Sequence, residues 1–324
     1  MTDEVSPGLF CIRIPLPQSP LKYLNSYVIK GADRNLVIDT GFNRQECLQA
    51  MREGLAELGV NLKRTDFFIT HLHADHFGLV SKLTSDDSRV FFGKTEAKFV
   101  EAWRGWEPMI EYARRNGFPE DELQAAWNSH PGFKFGSEKL PELTVVNEGE
   151  TFSLGGYDFT FIETPGHTMG HTCLYDQVKK ILISGDHILG DITPNIQCWW
   201  DGEDPLKDYL ASLDKVFELD VDLVLPGHRR LIGDCRARIK ELKQHHHDRV
   251  EEVISILDAG RMNAFQVASE MSWDIKCESW GLFPVAQKWF ATGEAIAHLR
   301  YLEGNGRVGR KMEGGAVYYF PIND

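Results

Sequence analysis

The sequence lacks most of the features that would place it in a membrane, on nucleic acid or in a disulfide scaffold. No run approaches the eighteen or so apolar residues that a membrane span requires. No basic segment precedes an apolar stretch at the N-terminus, where Thr2, Asp3 and Glu4 lead into a strand-like stretch, so no signal peptide is expected. Basic residues are in short supply: 35 Lys and Arg stand against 48 Asp and Glu, a net charge of -13. That balance disfavours phosphate neutralisation by clustered cations, although a local basic patch remains compatible with it. Six cysteines are scattered without a CxxC pair, which predicts buried free thiols and a reducing cytoplasm. There is no Walker loop, no Gly-rich dinucleotide motif and no G-x-S-x-G nucleophile elbow.

What remains is a chain of 324 residues, 42% of them hydrophobic. That suffices for one large domain or two of ordinary size. Short β-branched or apolar runs at 26–29, 36–38, 67–69, 159–162, 181–184 and 222–225 predict strands. Leu48, Met51, Leu55 and Leu58 recur at helical spacing, so 43–58 reads as a helix. Strands alternate with helices and several run into loops holding His or Asp, which implies an α/β sandwich. Residues 94–140 differ: they read as a helical insert rich in Trp103, Trp106, Tyr112, Trp127, Phe133 and Phe135. Two readings stand, a hairpin packing its aromatics on the core or a lid walling an apolar pocket. Beyond Asp234 the order is a long charged helix, two more helices and a hairpin around Gly314-Gly315, the order of a winged helix-turn-helix. The expected domains are 1–240, catalytic, and 241–324, a winged helix.

The chemistry concentrates in His71-Leu72-His73-Ala74-Asp75-His76. Imidazole nitrogens and carboxylate oxygens are good ligands for zinc, iron and manganese. In a tight loop alternate residues share a side, so His71 and His73 can grip one ion while Asp75 and His76 reach a second. Burying three unpaired imidazoles in one loop would otherwise be costly. Thr164-Pro165-Gly166-His167-Thr168, Ser184-Gly185-Asp186 and Pro226-Gly227-His228 each follow a strand. Any one of them alone is a weak signal; together and in this order they are strong.

This series resembles the metallo-β-lactamase superfamily in its glyoxalase II-like form, over roughly residues 8–235. The resemblance implies a four-layer αββα sandwich with two divalent metal ions per chain at one edge, zinc first and iron or manganese as alternatives. It implies that His71, His73 and His167 hold one ion, that Asp75, His76 and His228 hold the other, and that Asp186 bridges both. Asp39 matches a position that orients ligands from beneath, or is simply a strand-end turn residue. His171 matches a common non-ligating position. His73 stands where oxygen- and nitric-oxide-reducing members carry Glu, which favours hydrolysis. The pairing of Asp75 with Asp186 points away from antibiotic hydrolysis. Such a centre acidifies a shared water for attack on a carbonyl or phosphoryl group, with Asp75 and Asp186 as the catalytic carboxylates.

The whole chain is also similar to the β-lactamase-like protein 2 group, which joins this core to a winged helix. Thioesters, esters or lactones are the expected substrates, with Trp199-Trp200 and the aromatic insert suiting an acyl group. A metal-dependent endoribonuclease acting on single-stranded RNA is the alternative. Against it, residues 248–324 hold eight Lys or Arg and eleven Asp or Glu, with Arg307, Arg310 and Lys311 the one basic cluster. A monomer or homodimer without a membrane partner is expected. His187 is a further residue able to line the site. Consecutive His245-His246-His247 point 100° apart on a helix and read as a solvated face.

Overall fold

The computed structural model describes residues 2–275 and 277–322. Seven strands form the first sheet in chain order: β1 (Thr2–Ser6), β2 (Leu9–Pro15), β3 (Tyr23–Lys30), β4 (Asn35–Ile38), β5 (Thr65–Ile69), β6 (Val90–Gly93) and β7 (Leu143–Val146). Pairing is antiparallel from β1 to β4 and parallel from β4 to β7. The parallel half needs crossovers, supplied by the helices α1 (Gln45–Glu57), α2 (Ala74–Phe77), α3 (Val80–Leu83) and α4 (Lys94–Ala102), and by a longer excursion through α5 (Glu107–Arg115), α6 (Glu120–Ser129) and α7 (Pro131–Phe135). The second sheet runs β12-β11-β10-β9-β8, from β8 (Thr151–Leu154), β9 (Tyr157–Glu163), β10 (Thr172–Asp176), β11 (Ile181–Gly185) and β12 (Leu223–Pro226), with α8 (Pro205–Phe217) before β12.

Strand periodicity explains the layering. Successive side chains of β5 point to opposite faces. Phe67 and Ile69 join Val28, Val37 and Phe92 in a core shared with Cys47, Leu48, Met51 and Leu55 of α1. Phe68 faces the other way, into a core with Tyr27, Ile38 and Phe91 of its own sheet and Phe159, Phe161, Leu174, Ile183 and Leu225 of the second. The outer face of the second sheet is flanked by the end of α8, where Ser212 Oγ donates to Pro165 O at 2.8 Å and Lys215 Nζ to Glu163 O at 2.7 Å. The result is the four-layer αββα sandwich. At the start of β5, away from its loop, Asp66 is fully buried and takes bonds of 2.6 Å from both Arg34 Nη2 and Arg89 Nη2.

The chain divides into two compact units that do not follow sequence order. The first comprises residues 1–103, 134–194 and 212–239; the second comprises 104–133, 195–211 and 240–324. Residues 104–133, expected as an insert of the catalytic domain, thus cluster with the C-terminal segment. In the second unit α9 (Cys235–Leu257, which begins in the first), α10 (Ala264–Glu270) and α11 (Val285–Gly304) precede the antiparallel pair β13 (Val308–Glu313) and β14 (Ala316–Pro321). α11 packs on both α10 and α6. Asn263 caps α10 through a reciprocal box with Gln266. Among the described residues no helix is long and apolar enough to cross a membrane.

Candidate metal centre

The site is built by loops that leave the strands at one end of the two-sheet core. β5 ends at Ile69, and the next seven residues hold His71, His73, Asp75 and His76, the last two on the single turn of α2. The loop after β9 brings His167, the end of β11 brings Asp186, and the end of β12 brings His228. Gly185 pairs with Pro226 in the parallel β11–β12 ladder, which sets Asp186 beside the Pro-Gly-His turn. Two glycines permit this closeness. A Cβ on Gly185, whose φ is +48°, would meet His171 Nε2 at 2.6 Å and Thr70 Oγ1 at 2.7 Å. A Cβ on Gly227 would meet Asp186 Oδ1 at 2.6 Å.

The seven candidate donors converge. His73 Nδ1 lies 3.0 Å from His71 Nε2 and 2.9 Å from His167 Nε2. On the other side, His228 Nε2 lies 3.3 Å from Asp75 Oδ2 and 3.5 Å from Asp186 Oδ2, and His76 Nε2 lies 3.5 Å from Asp186 Oδ1. Asp186 also reaches His167 Nε2 at 3.6 Å, so its carboxylate touches both groups. Three sets could each hold one ion: His71, His73 and His167; His71, His76 and Asp186; Asp75, His76 and His228.

Tautomers follow from the outward nitrogens. His228 Nδ1 lies 2.8 Å from Tyr23 O, a carbonyl that only accepts, so Nδ1 carries the proton. His76 Nδ1 likewise meets Asp39 Oδ2 at 2.7 Å. In the neutral rings both Nε2 atoms therefore turn lone pairs toward carboxylate oxygens. His76 Nε2, His228 Nε2 and Asp186 Oδ1 are buried with no hydrogen-bond partner. Buried lone pairs facing one another repel unless a proton or a cation intervenes. The nitrogen and carboxylate chemistry of the donors fits a divalent transition metal.

The protein's own charges divide the cluster. Burial, then the neighbouring imidazoles, hold His71 well below its usual range, and burial with His167 takes His73 down to about 3. Burial would lower His76 too, but Asp39, Asp186 and Asp75 outweigh it and hold it well above 6.5. Burial acts the same way on His228, and Asp186 and Asp75 overcome it to push the ring up to about 10. Burial alone would raise Asp75, yet His76 and His228 bring it down to about 2.

A supporting layer lies behind the donors. Asp39, left-handed at φ 59°, accepts Thr70 N and Thr70 Oγ1 at 2.9 Å as well as His76. That geometry goes beyond a strand-end turn and orients a site loop. His171 Nε2 accepts Asp186 N at 3.2 Å, so it steadies the backbone of a candidate donor. Asn25 Nδ2 donates to Pro226 O at 3.0 Å and to Arg229 O at 2.9 Å, and Tyr27 Oη to Pro226 O at 2.7 Å. Sequence reading missed Asn25, Tyr27 and Ser26, whose Oγ donates to Asp39 O at 2.7 Å; two polar residues inside an otherwise apolar strand were the available signal. His187 is buried and pulled down to about 3 by burial, and it belongs to none of the donor sets.

Two expectations need correction. The triple histidine is not a uniformly solvated face: His247 is exposed, but His246 is buried, its Nδ1 3.2 Å from His298 Nε2. A 100° step per residue turns one ring of three inward. Trp199 is buried too, stacked on Trp289 at 4.3 Å, and a Cβ on Gly293 would meet its ring at 2.7 Å.

Sheet order and donor set together define a metal-binding hydrolase fold. Residues 21–228 match the Metallo-beta-lactamase superfamily, and the chain belongs to it. It is 28% identical to the Probable metallo-hydrolase YqjP of Bacillus subtilis, over 98% of both chains. It is 24% identical to the Atrochrysone carboxyl ACP thioesterase of Aspergillus fumigatus, covering 94% of this chain and 83% of that one. Among solved structures, a metallo-beta-lactamase family protein from Thermus thermophilus is similar over 98% of this chain and 100% of its own, with 30% identity and a TM-score of 0.83.

Proposed function

We propose that this chain is a two-metal hydrolase of small thioesters, esters or lactones. The carrying observation is the convergence of seven donors with three buried atoms left without partners. In this reading His71, His73 and His167 hold one divalent cation, Asp75, His76 and His228 hold a second, and Asp186 is shared. Zinc is the first choice, and the same donors accept iron or manganese. When bound, such a pair supplies Lewis acidity and a water acidified toward neutral pH.

The chain's own residues do the rest. Thr70 and Asp39 fix the His76 ring, and the Tyr23 carbonyl fixes His228, so no donor reorganises at the moment of reaction. Asp75, held ionised, is the carboxylate placed to orient the attacking water and accept its proton. Burial of His71, Asp75, His76, Asp186 and His228 keeps bulk water from competing for them.

The thioester preference rests on a relative named as a thioesterase and on the aromatic segment. Within that segment Trp106 and Trp127 pack on each other at 4.1 Å, and Trp127 is buried, which supports the packing reading for them. Phe133, though 52% exposed, also packs on Trp127, at 4.8 Å. The helix, helix, helix, hairpin order of the C-terminal segment supports a winged helix, but one unsuited to RNA. On α11, the third helix of that order, Trp289, Ala291, Thr292, Ala295, Ile296 and His298 are buried. On the hairpin side Arg307 pairs with Glu251, Arg310 with Asp201 and Glu303, and Lys311 with Glu313. Cations already paired have less to offer phosphates.

The test is a paired assay on metal-quantified protein, with acyl-CoA and acyl-glutathione thioesters beside a fluorogenic single-stranded RNA. Thioester turnover that disappears in His73→Ala is the expected result. Metal-dependent RNA cleavage without thioester turnover would overturn the reading.

A further inference from the structure

Apart from the donors, one fully buried carboxyl lies between the two segments that carry the three-histidine group. Glu96 sits in the first turn of α4 and is 0% exposed. Its Oε1 accepts a short hydrogen bond from Thr168 Oγ1. The backbone N–H groups of Leu72 and Gly170 act on the same carboxyl. Leu72 stands between His71 and His73, and Thr168 follows His167. One side chain therefore touches both segments.

The approach is close enough to be selective. A Cβ on Gly170 would stand 2.5 Å from Glu96 N and 2.9 Å from Glu96 Cγ. Burying a carboxyl is costly unless hydrogen bonds compensate. Burial raises this one to about 7, even with three donors acting in the opposite direction, and Oε2 has no partner. If α4 needed only packing here, an apolar side chain would serve better.

We propose that Glu96 is a positioning residue for the three-histidine group. It ties the His71–His73 loop to the His167 loop, so that three imidazoles from two separate segments meet one cation without rearrangement. The inference rests on the ligand reading above. Groups behind metal ligands typically contribute about 10- to 100-fold in metal affinity when intact.

The test follows ions per chain by plasma mass spectrometry as a competing chelator is raised against the zinc-loaded protein. Wild type, Glu96→Ala, Glu96→Gln, Thr168→Val and His73→Ala are compared, with thermal denaturation alongside. Glu96→Ala should release one ion at about 10- to 100-fold lower chelator and keep the other at the wild-type concentration. Glu96→Gln, whose amide oxygen still accepts from Thr168, should recover most of that loss. Thr168→Val removes the bond from the other side without opening a large cavity, and should weaken the same ion by a smaller factor even if Glu96→Ala fails to fold. Release of both ions together, or of neither earlier than wild type, would overturn the positioning role. So would a Glu96→Gln variant no better than Glu96→Ala. His73→Ala separates the two levels. If it loses one ion while Glu96→Ala and Thr168→Val hold both, only the role of Glu96 falls. If it keeps both ions, the ligand reading falls and the positioning role with it.

Discussion

The two sides of the site are built from the same ring in opposite surroundings. On one side His71, His73 and His167 crowd together, and burial with mutual repulsion drives His71 and His73 toward the neutral form. On the other, the carboxylates of Asp75, Asp186 and Asp39 surround His76 and His228 and draw both toward the charged form. In the metal-free chain one side excludes protons and the other retains them. A cation entering the first meets ready lone pairs; a cation entering the second must displace protons. The difference comes from where the carboxylates lie, since His71, His76 and His228 are all fully buried.

Asp186 touches both sides, so its loss should have the largest effect. Asp186→Ala is expected to reduce the metal content of the loaded protein to one ion or none. Turnover should fall by roughly three orders of magnitude, the order of Lewis-acid stabilisation lost. Retention of two ions, read by mass spectrometry, would break the comparison at its shared point.

A buried carboxylate that serves neither side is the control. Asp66 is held below the usual carboxylate range because Arg34 and Arg89 outweigh burial. Asp66→Asn should cost ~3 kcal/mol in denaturant unfolding and leave the ion count unchanged. A depressed carboxylate stabilises the fold above its unfolded pKa, near 3.9. That contribution is lost as pH falls through the folded value. Wild type should therefore lose more stability on acidification than Asp66→Asn, and equal acid sensitivity would contradict the assignment.

Asp39 sharpens the comparison from beneath. Asp39→Asn keeps the shape but weakens the bond that orients His76. The ion held with His76 should weaken by about 10- to 100-fold while the three-histidine ion stays near wild type. Parallel loss of both in a chelator titration would show that the sides are not independent.

The smallest effect is on pH. His228, drawn up to about 10, keeps at neutral pH a proton that a free imidazole has lost. In the metal-free chain this shift stabilises the fold below about pH 6.5, and the stabilisation is lost as pH rises through about 10. Loading the carboxylate-bearing side should release protons at pH 7, and its affinity should rise with pH. His73, at about 3, has none to release. Calorimetry in buffers of different ionisation enthalpy measures the difference; equal proton release from both steps would contradict it.

The seven candidate donors that the fold brings together were legible in the sequence because each sits in a short motif that follows a strand. The strands bearing them were legible as well, since apolar runs such as Phe67–Ile69 and Ile181–Ser184 end in polar loops. β6, β7 and β8 are no shorter than β4 and β12, but none of them runs into a motif holding a candidate donor, and β10 begins directly after His171. The grouping of 104–133 and 195–211 with the C-terminal segment could not be read, because helical spacing reports which face is apolar and not what it packs on. Glu96 was invisible for a related reason. An acidic residue in a first helical turn is favoured by the backbone dipole anyway, and only the fold brings Leu72 and Thr168 to it.

The most direct test of the central claim counts ions in the fully loaded wild type and in two single variants. Wild type should hold two, His73→Ala one and His228→Ala one, with cobalt spectra of the two variants differing because one retains a site rich in carboxylate and the other a site rich in imidazole. Two ions in either variant, or identical spectra from both, would mean that the donors form one undivided cluster, and the account of two unlike sides would be wrong.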